Sequence, residues 1–133
     1  MVDIVVVGGI TIHANPDAVD AVAGPSLASP DLHVEVFGVA PNPVSTLEDP
    51  AAILARLHPS KPFARLTRPD NSPIWVRGSA VSSARAPLAE ETLGRPPGTV
   101  QSVIYIEGFR QLLREDIATL GPLLTAAGSP IFS

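Results

Sequence analysis

Cysteine is missing from all 133 residues, which excludes disulfides and thiolate metal sites and leaves the redox compartment undetermined. Lysine is nearly missing as well. The single one, Lys61, lies in a proline-flanked stretch, so no Walker-type phosphate loop is present. Long hydrophobic runs are absent: Ile4-Val5-Val6-Val7 is typical of the longest, and a spanning helix needs ~20 apolar residues. The positive mean hydropathy therefore reflects a core, and no membrane partner is expected. The start, Met1-Val2-Asp3, has neither a basic n-region nor an apolar h-region, so a secretory signal is not expected. A net charge of −4 argues against non-specific attraction of the whole surface to nucleic acid or anionic lipid.

What is abundant is punctuation. Fifteen prolines and ten glycines leave room for few helices, and the prolines fall between apolar runs where they mark loops. At 45% hydrophobic content, a chain of this size can bury a substantial core.

The chain reads as one module written twice. Ala18-Val19-Asp20-Ala21-Val22 leading to Gly24-Pro25 matches Ala80-Val81-Ser82-Ser83-Ala84 leading to Ala86-Pro87 at an offset of 62 residues. Glu48-Asp49 with Ala51, Ile53 and Leu57 matches Glu115-Asp116 with Ala118, Leu120 and Leu124 at an offset of 67. The first copy, residues 1–58, carries seven carboxylates and one arginine, whereas the second, residues 59–133, carries eight basic and six acidic residues. The division is thus an acidic repeat and an arginine-rich repeat within one compact unit.

Local patterns predict the same order of elements in both copies. Asp3 to Val7 and Ile10 to Ala14 flank Gly8-Gly9, a hairpin signal because glycine reaches positive φ without steric cost. Phe63 to Arg68 and Pro73 to Arg77 flank a Pro69-Asp70-Asn71-Ser72 turn. A one-turn element follows each hairpin, the first capped by Asn15 with Pro16 at its first position. Long polar loops, residues 24–32 and 86–99, then precede returning strands at Leu32 to Val39 and Val100 to Glu107. A further strand is expected at Phe109 to Arg114, with a degraded counterpart where Pro41 and Pro43 interrupt the first copy. Each copy ends in a helix, opened by Asp49-Pro50 and by Asp116. Pro122 should kink the second helix or delay its start, and Gly128 should end it. One sheet with one helix cannot cover both its own faces, so two copies should shield each other. The predicted fold is α+β: two β-rich sheet-plus-helix repeats packed with pseudo-two-fold symmetry.

Leu66-Thr67-Arg68, Asn71-Ser72, Pro73-Ile74-Trp75-Val76, Val103-Ile104-Tyr105-Ile106-Glu107-Gly108 and Leu112-Leu113-Arg114-Glu115 follow a strand, turn, strand, then strand, turn, strand and helix-start pattern. Over roughly residues 63–127 this resembles the small FlbD-like proteins associated with flagellar assembly. The resemblance implies the fold of the module and no catalytic residues. The loop 86–99 is longer than that family's connection, and the acidic first copy has no place in its pattern.

Chemistry-bearing residues are sparse. His13, His33 and His58 show no H-x-x-x-H spacing; His13 and His33 could bind a metal with Glu35, but spacing does not bring the three together as a ligand set. The Glu-Asp pairs precede the two helices and read as caps and macrodipole partners. Val5-Val6-Val7-Gly8-Gly9 lacks G-x-G-x-x-G and runs into a strand, so it is not a dinucleotide site. Gly78-Ser79-Ala80 is not a nucleophile elbow. Neither cofactor nor metal is expected.

The arginines carry more information. Arg65, Arg68, Arg77, Arg85, Arg110 and Arg114 share the second copy with Phe63, Trp75, Tyr105 and Phe109. Arginine with aromatics supplies protein-interface anchors and can also stack single-stranded nucleic acid. The interface reading is favoured, with Arg65, Trp75, Arg77, Arg85, Phe109 and Arg110 as candidate contacts. The expected function is a non-enzymatic structural protein, assembling with itself or another structural protein through unlike charged surfaces, its loops projecting as arms. A virion component, such as a capsid decoration or head or tail accessory protein, fits that description; otherwise the location is cytoplasmic. The alternatives are a regulatory or nucleic-acid-binding adaptor using the arginine face, and an enzyme or ligand binder with a pocket between the copies.

Overall fold

Alternating apolar and polar residues, short runs between glycines and prolines, and two capped apolar stripes dictate an α+β protein, and that is what forms. The structure, a computed structural model, describes residues 1–25, 33–57 and 62–132. In the first half a hairpin of β1 (Val2–Val5) and β2 (Thr11–Ala14) leads to a 3₁₀ turn (Pro16–Ala18), then β3 (Ala21–Ala23), β4 (Val34–Phe37), β5 (Val44–Thr46) and α1 (Pro50–Ala55). The second half repeats that order with β6 (Phe63–Thr67), β7 (Pro73–Arg77), a 3₁₀ turn (Gly78–Ala80), β8 (Val81–Arg85), a short α2 (Ala89–Thr92), β9 (Ser102–Ile106), β10 (Phe109–Leu113) and α3 (Ile117–Ala126).

A five-stranded antiparallel sheet, ordered β5-β4-β3-β7-β6, spans both halves. Its seam is the pairing of Ala21, Val22 and Ala23 with Val76, Trp75 and Ile74. Opposed residues of antiparallel strands point to one face, so the register sorts the core in two. Ala21, Ala23, Ala64, Leu66, Ile74 and Val76 join Ile104, Ile106, Leu113 and the α3 residues Leu120 and Leu124 in one core. Val22, Val34 and Val36 face the opposite way, onto Val2, Ile4, Ile53 and Leu57 from the β1–β2 hairpin and the α1 region. Each fully buried Val, Leu or Ile contributes about 1.5–3 kcal/mol, so the sheet is held from both sides by comparable forces.

The other sheets are β1-β2 and β10-β9-β8. Each is stitched to the central sheet at a matching point. Val6 bridges Thr46 beyond β1, and the Arg114 amide donates to the Thr67 carbonyl at the end of β6, 2.9 Å away.

Several expectations hold in detail. Both hairpins form, the second with its expected strands and the first with β1 ending at Val5, so that its connection runs from Val6 to Ile10 instead of the Gly8-Gly9 pair alone. Asn15 caps the first 3₁₀ turn by accepting from the Asp17 amide, with Pro16 at its start. The Asp49 carboxylate accepts from Ala51 N–H ahead of α1, and Asp116 accepts from Thr119 N–H ahead of α3. At the end of α3, Gly128 has φ +85°, and Gly128 N–H and Ser129 N–H donate to the carbonyls of Thr125 and Leu124, the paired bonds of a Schellman ending.

Other expectations change. The residues after each 3₁₀ turn are strands in their own right, β3 and β8, because the turn re-aims the chain into a sheet. The strand thought degraded by Pro41 and Pro43 forms at Val44, beyond both prolines, where Val44 pairs with Val36 at the sheet edge. Pro122 does not delay α3, which is continuous through it from Ile117. The loop 86–99 contains α2 and is not a free arm, for a reason given below. Most of the loop 24–32 lies outside the described residues.

Candidate interaction surfaces

Arg77 is the first of the predicted contact residues to be reassigned. It ends β7 and is only 4% exposed. Its Nε and Nη2 donate to the Val19 carbonyl at 2.8 and 2.6 Å, and Nη2 also donates to the Pro16 carbonyl at 2.7 Å. The guanidinium lies over the Phe63 ring, 5.1 Å from its centroid. These bonds tie the second half to the 3₁₀ turn of the first, so Arg77 is a structural clasp and is not on offer to a partner. Phe109 is similarly occupied: it meets Phe37 of the first half edge-on, with centroids 5.8 Å apart.

Arg85 is drawn inward by a residue the sequence did not flag. Glu91, on α2, has a side chain only 1% exposed. Its carboxylate accepts from Arg85 Nη1 at 2.6 Å and Nη2 at 2.8 Å, from the Leu88 amide at 2.7 Å and from Arg110 Nη1 at 3.2 Å. Arg85 also donates to the Tyr105 hydroxyl at 3.0 Å. The Arg85 hydrogen bonds, then the Leu88 amide, outweigh burial and hold the Glu91 carboxyl down at about 2. In return Glu91, then Tyr105, raises the Arg85 guanidinium still further above its ordinary range. This clamp is why the loop 86–99 is fastened to the β8-β9-β10 sheet.

Arg65, Trp75 and Arg110 remain at the surface. Arg65 and Trp75 are opposed across β6 and β7, with the guanidinium 5.8 Å from the ring centroid. Half-buried Trp75 lines a groove of about 440 Å³ with Pro25, Leu47, Pro50 and Pro73. This groove lies between the halves and is open to solvent. Leu47 and Glu48 continue it into a second apolar hollow against Val5 and Val7. Leu47 is 71% exposed, Ile10 70%, Val5 47% and Val7 43%.

A second concavity, of about 540 Å³, is lined by Arg68, Arg95 and Arg110 together with Asp70, Thr99 and Gln111. Arg95 escaped the sequence reading because it sits between Gly94 and Pro96, in a stretch without periodicity. Leu47 escaped because one leucine ahead of a cap has no pattern of its own.

The paired carboxylates are scaffold in both halves. Glu48 accepts from Val5 N–H at 3.0 Å, and Glu115 accepts from Thr67 N–H at 3.0 Å. Burial raises the Glu48 carboxyl, but the Arg56 hydrogen bond, the Val5 amide and the Arg56 charge together bring it below the usual carboxylate range. Among the described residues no group of three His, Asp or Glu side chains is placed to hold a metal. His13 on β2 bonds Asp3 at 2.7 Å, β2 pairs with β1 and not with the strand following His33, and His58 lies outside the described residues. No helix among the described residues is long and apolar enough to cross a membrane.

The chain matches no protein-family model, no curated protein and no solved structure.

Proposed function

We propose that this is a non-enzymatic interaction protein that assembles with copies of itself, or with another structural protein, into a larger particle. The observation that carries this reading is the apolar strip running from Val5, Val7 and Ile10 through Leu47 to Trp75. It lies largely on the acidic half, and the arginine concavity lies on the other. Unlike surfaces on one chain favour a head-to-tail contact, which closes into a ring or propagates on a lattice. A virion or a comparable particle would suit such a building block.

Native mass by light scattering across a salt series tests it. The expected result is a defined oligomer, or a growing polymer, that persists as salt rises, because apolar burial is not screened, and is lost in Leu47→Glu. A monomer at high concentration and low salt would sink the proposal.

A further inference from the structure

Three guanidinium groups line one concavity in a chain whose net charge is −4. Its walls are the Pro69-Asp70 turn between β6 and β7, the 94–99 segment, and β10 at Arg110, Gln111 and Leu112. The three arginines differ in how far they are committed. Arg68 is held in place by Ser72 Oγ at 2.7 Å from its Nε, with Glu35 3.8 Å from Nη1. Arg110 spends one terminal nitrogen on Glu91 and is 54% exposed at its side chain. The Arg95 side chain has no hydrogen-bond or ion-pair partner among the described residues. The one carboxylate in the lining, Asp70, is engaged by Ser72 N–H at 3.0 Å.

A concave surface with an excess of one charge sign, here three guanidinium groups against the Asp70 carboxylate, focuses field and concentrates counter-ions. Arginine forks match planar carboxylates and phosphates, and what separates these two ligands is the number of oxygens. Next to the concavity, Glu91 shows how a carboxylate is satisfied: one fork fills both oxygens, and Arg110 adds a single weaker bond. A terminal phosphoryl group offers three oxygens and nearly two negative charges, which suits three guanidinium groups. The volume of about 540 Å³ is that of a site for a small organic ligand.

We propose that this concavity is a phosphate-binding site, with Arg95 and Arg110 as the mobile contacts and Arg68 as the fixed one. The phosphoryl group is the terminal monoester of a small phosphate ligand, because a backbone phosphodiester offers only two free oxygens and one charge. This site is separate from the apolar strip and stands whether or not the chain assembles.

Isothermal titration of the full chain with pyrophosphate, adenosine monophosphate, a ten-residue oligothymidylate and an oligoglutamate peptide distinguishes the possibilities. The expected result is saturable binding of a phosphate probe that falls about tenfold or more in Arg95→Ala and in Arg110→Ala, each counting for one strong charge-assisted contact. Arg95→Ala removes no internal bond, and an unchanged melting temperature will show that its fold is intact. Tighter binding of pyrophosphate or adenosine monophosphate than of the oligomer is the expected order; much tighter binding of the oligomer, with a steep salt dependence, would identify a nucleic-acid strand and overturn the assignment to a small ester. No binding of any phosphate probe at millimolar concentration, undiminished binding by Arg95→Ala, or tighter binding of oligoglutamate than of either phosphate would overturn the proposal.

Discussion

The two halves use a Glu-Asp pair in the same way at one corner and differ at another, where the residue ahead of the 3₁₀ turn is Asn15 in the first and Arg77 in the second. In each, a glutamate grips an amide at the end of the first strand and the aspartate beside it caps the closing helix. In each, a residue ending the first hairpin stands at the N-terminus of the 3₁₀ turn. There the resemblance stops. Asn15 stays at the surface and caps its own turn, whereas Arg77 reaches across to the carbonyls of the other half's turn. The Glu-Asp bonds are matched in the two halves, whereas the Arg77 clasp, added to the β3–β7 seam, has no counterpart at Asn15.

Breaking the two 3₁₀-turn positions should separate these roles most clearly. Arg77→Ala leaves the Val19 and Pro16 carbonyls without their charged donor and should cost about 1–3 kcal/mol for each acceptor left unsatisfied. Asn15→Ala removes one local cap and should cost about 1 kcal/mol. Urea denaturation midpoints of the two variants give the ratio directly, and equal losses would erase the distinction.

Glu91→Gln comes next, because it weakens a clamp that the first half does not display among the described residues. Arg85 and Arg110 lose their counter-charge, and the melting temperature at pH 7 should fall by several degrees. The folded carboxyl is held at about 2, below its ordinary 4.5. Its stabilisation is therefore present above 4.5 and lost as pH falls towards 2. Melting curves of the wild type and the variant should converge in that acidic window. A gap that persists there would assign the loss to packing.

The smallest effect has the opposite sign. Asp20, just before β3, is raised from 3.8 to about 6, by burial first and by the charge of Glu107 second, with Arg77 opposing both. The native state holds this proton more tightly than the unfolded chain does. That contribution is full below 3.8 and lost as pH rises through 6. Asp20→Asn should accordingly stabilise the protein at pH 7–8 by on the order of 1 kcal/mol after screening of this partly exposed group, and give no advantage near pH 4. Thermal melts at both pH values check it.

How much could be read beforehand follows the range of the bonds involved. The hairpins, the Asn15, Asp49 and Asp116 caps and the Gly128 ending rest on residues within a few positions of one another, and they were legible. The β3–β7 seam, the reach of Arg77 to Val19 and the closure of Arg85 on Glu91 depend on which elements the fold brings together, and no spacing encodes them. The arginine-rich composition was visible. Composition could not say that Arg77 would turn inward while Arg95 stayed free.

The seam also fixes an order of events at the ribosome. β3 emerges with one edge awaiting β7, a strand roughly fifty residues later in the chain. Until β7 is made, that edge is an open template for any strand of matching register. At high local concentration, the β7 of a neighbouring chain could fill the place, exchanging identical parts between molecules. Such an exchange would follow from the connectivity alone and would use no surface of the finished fold.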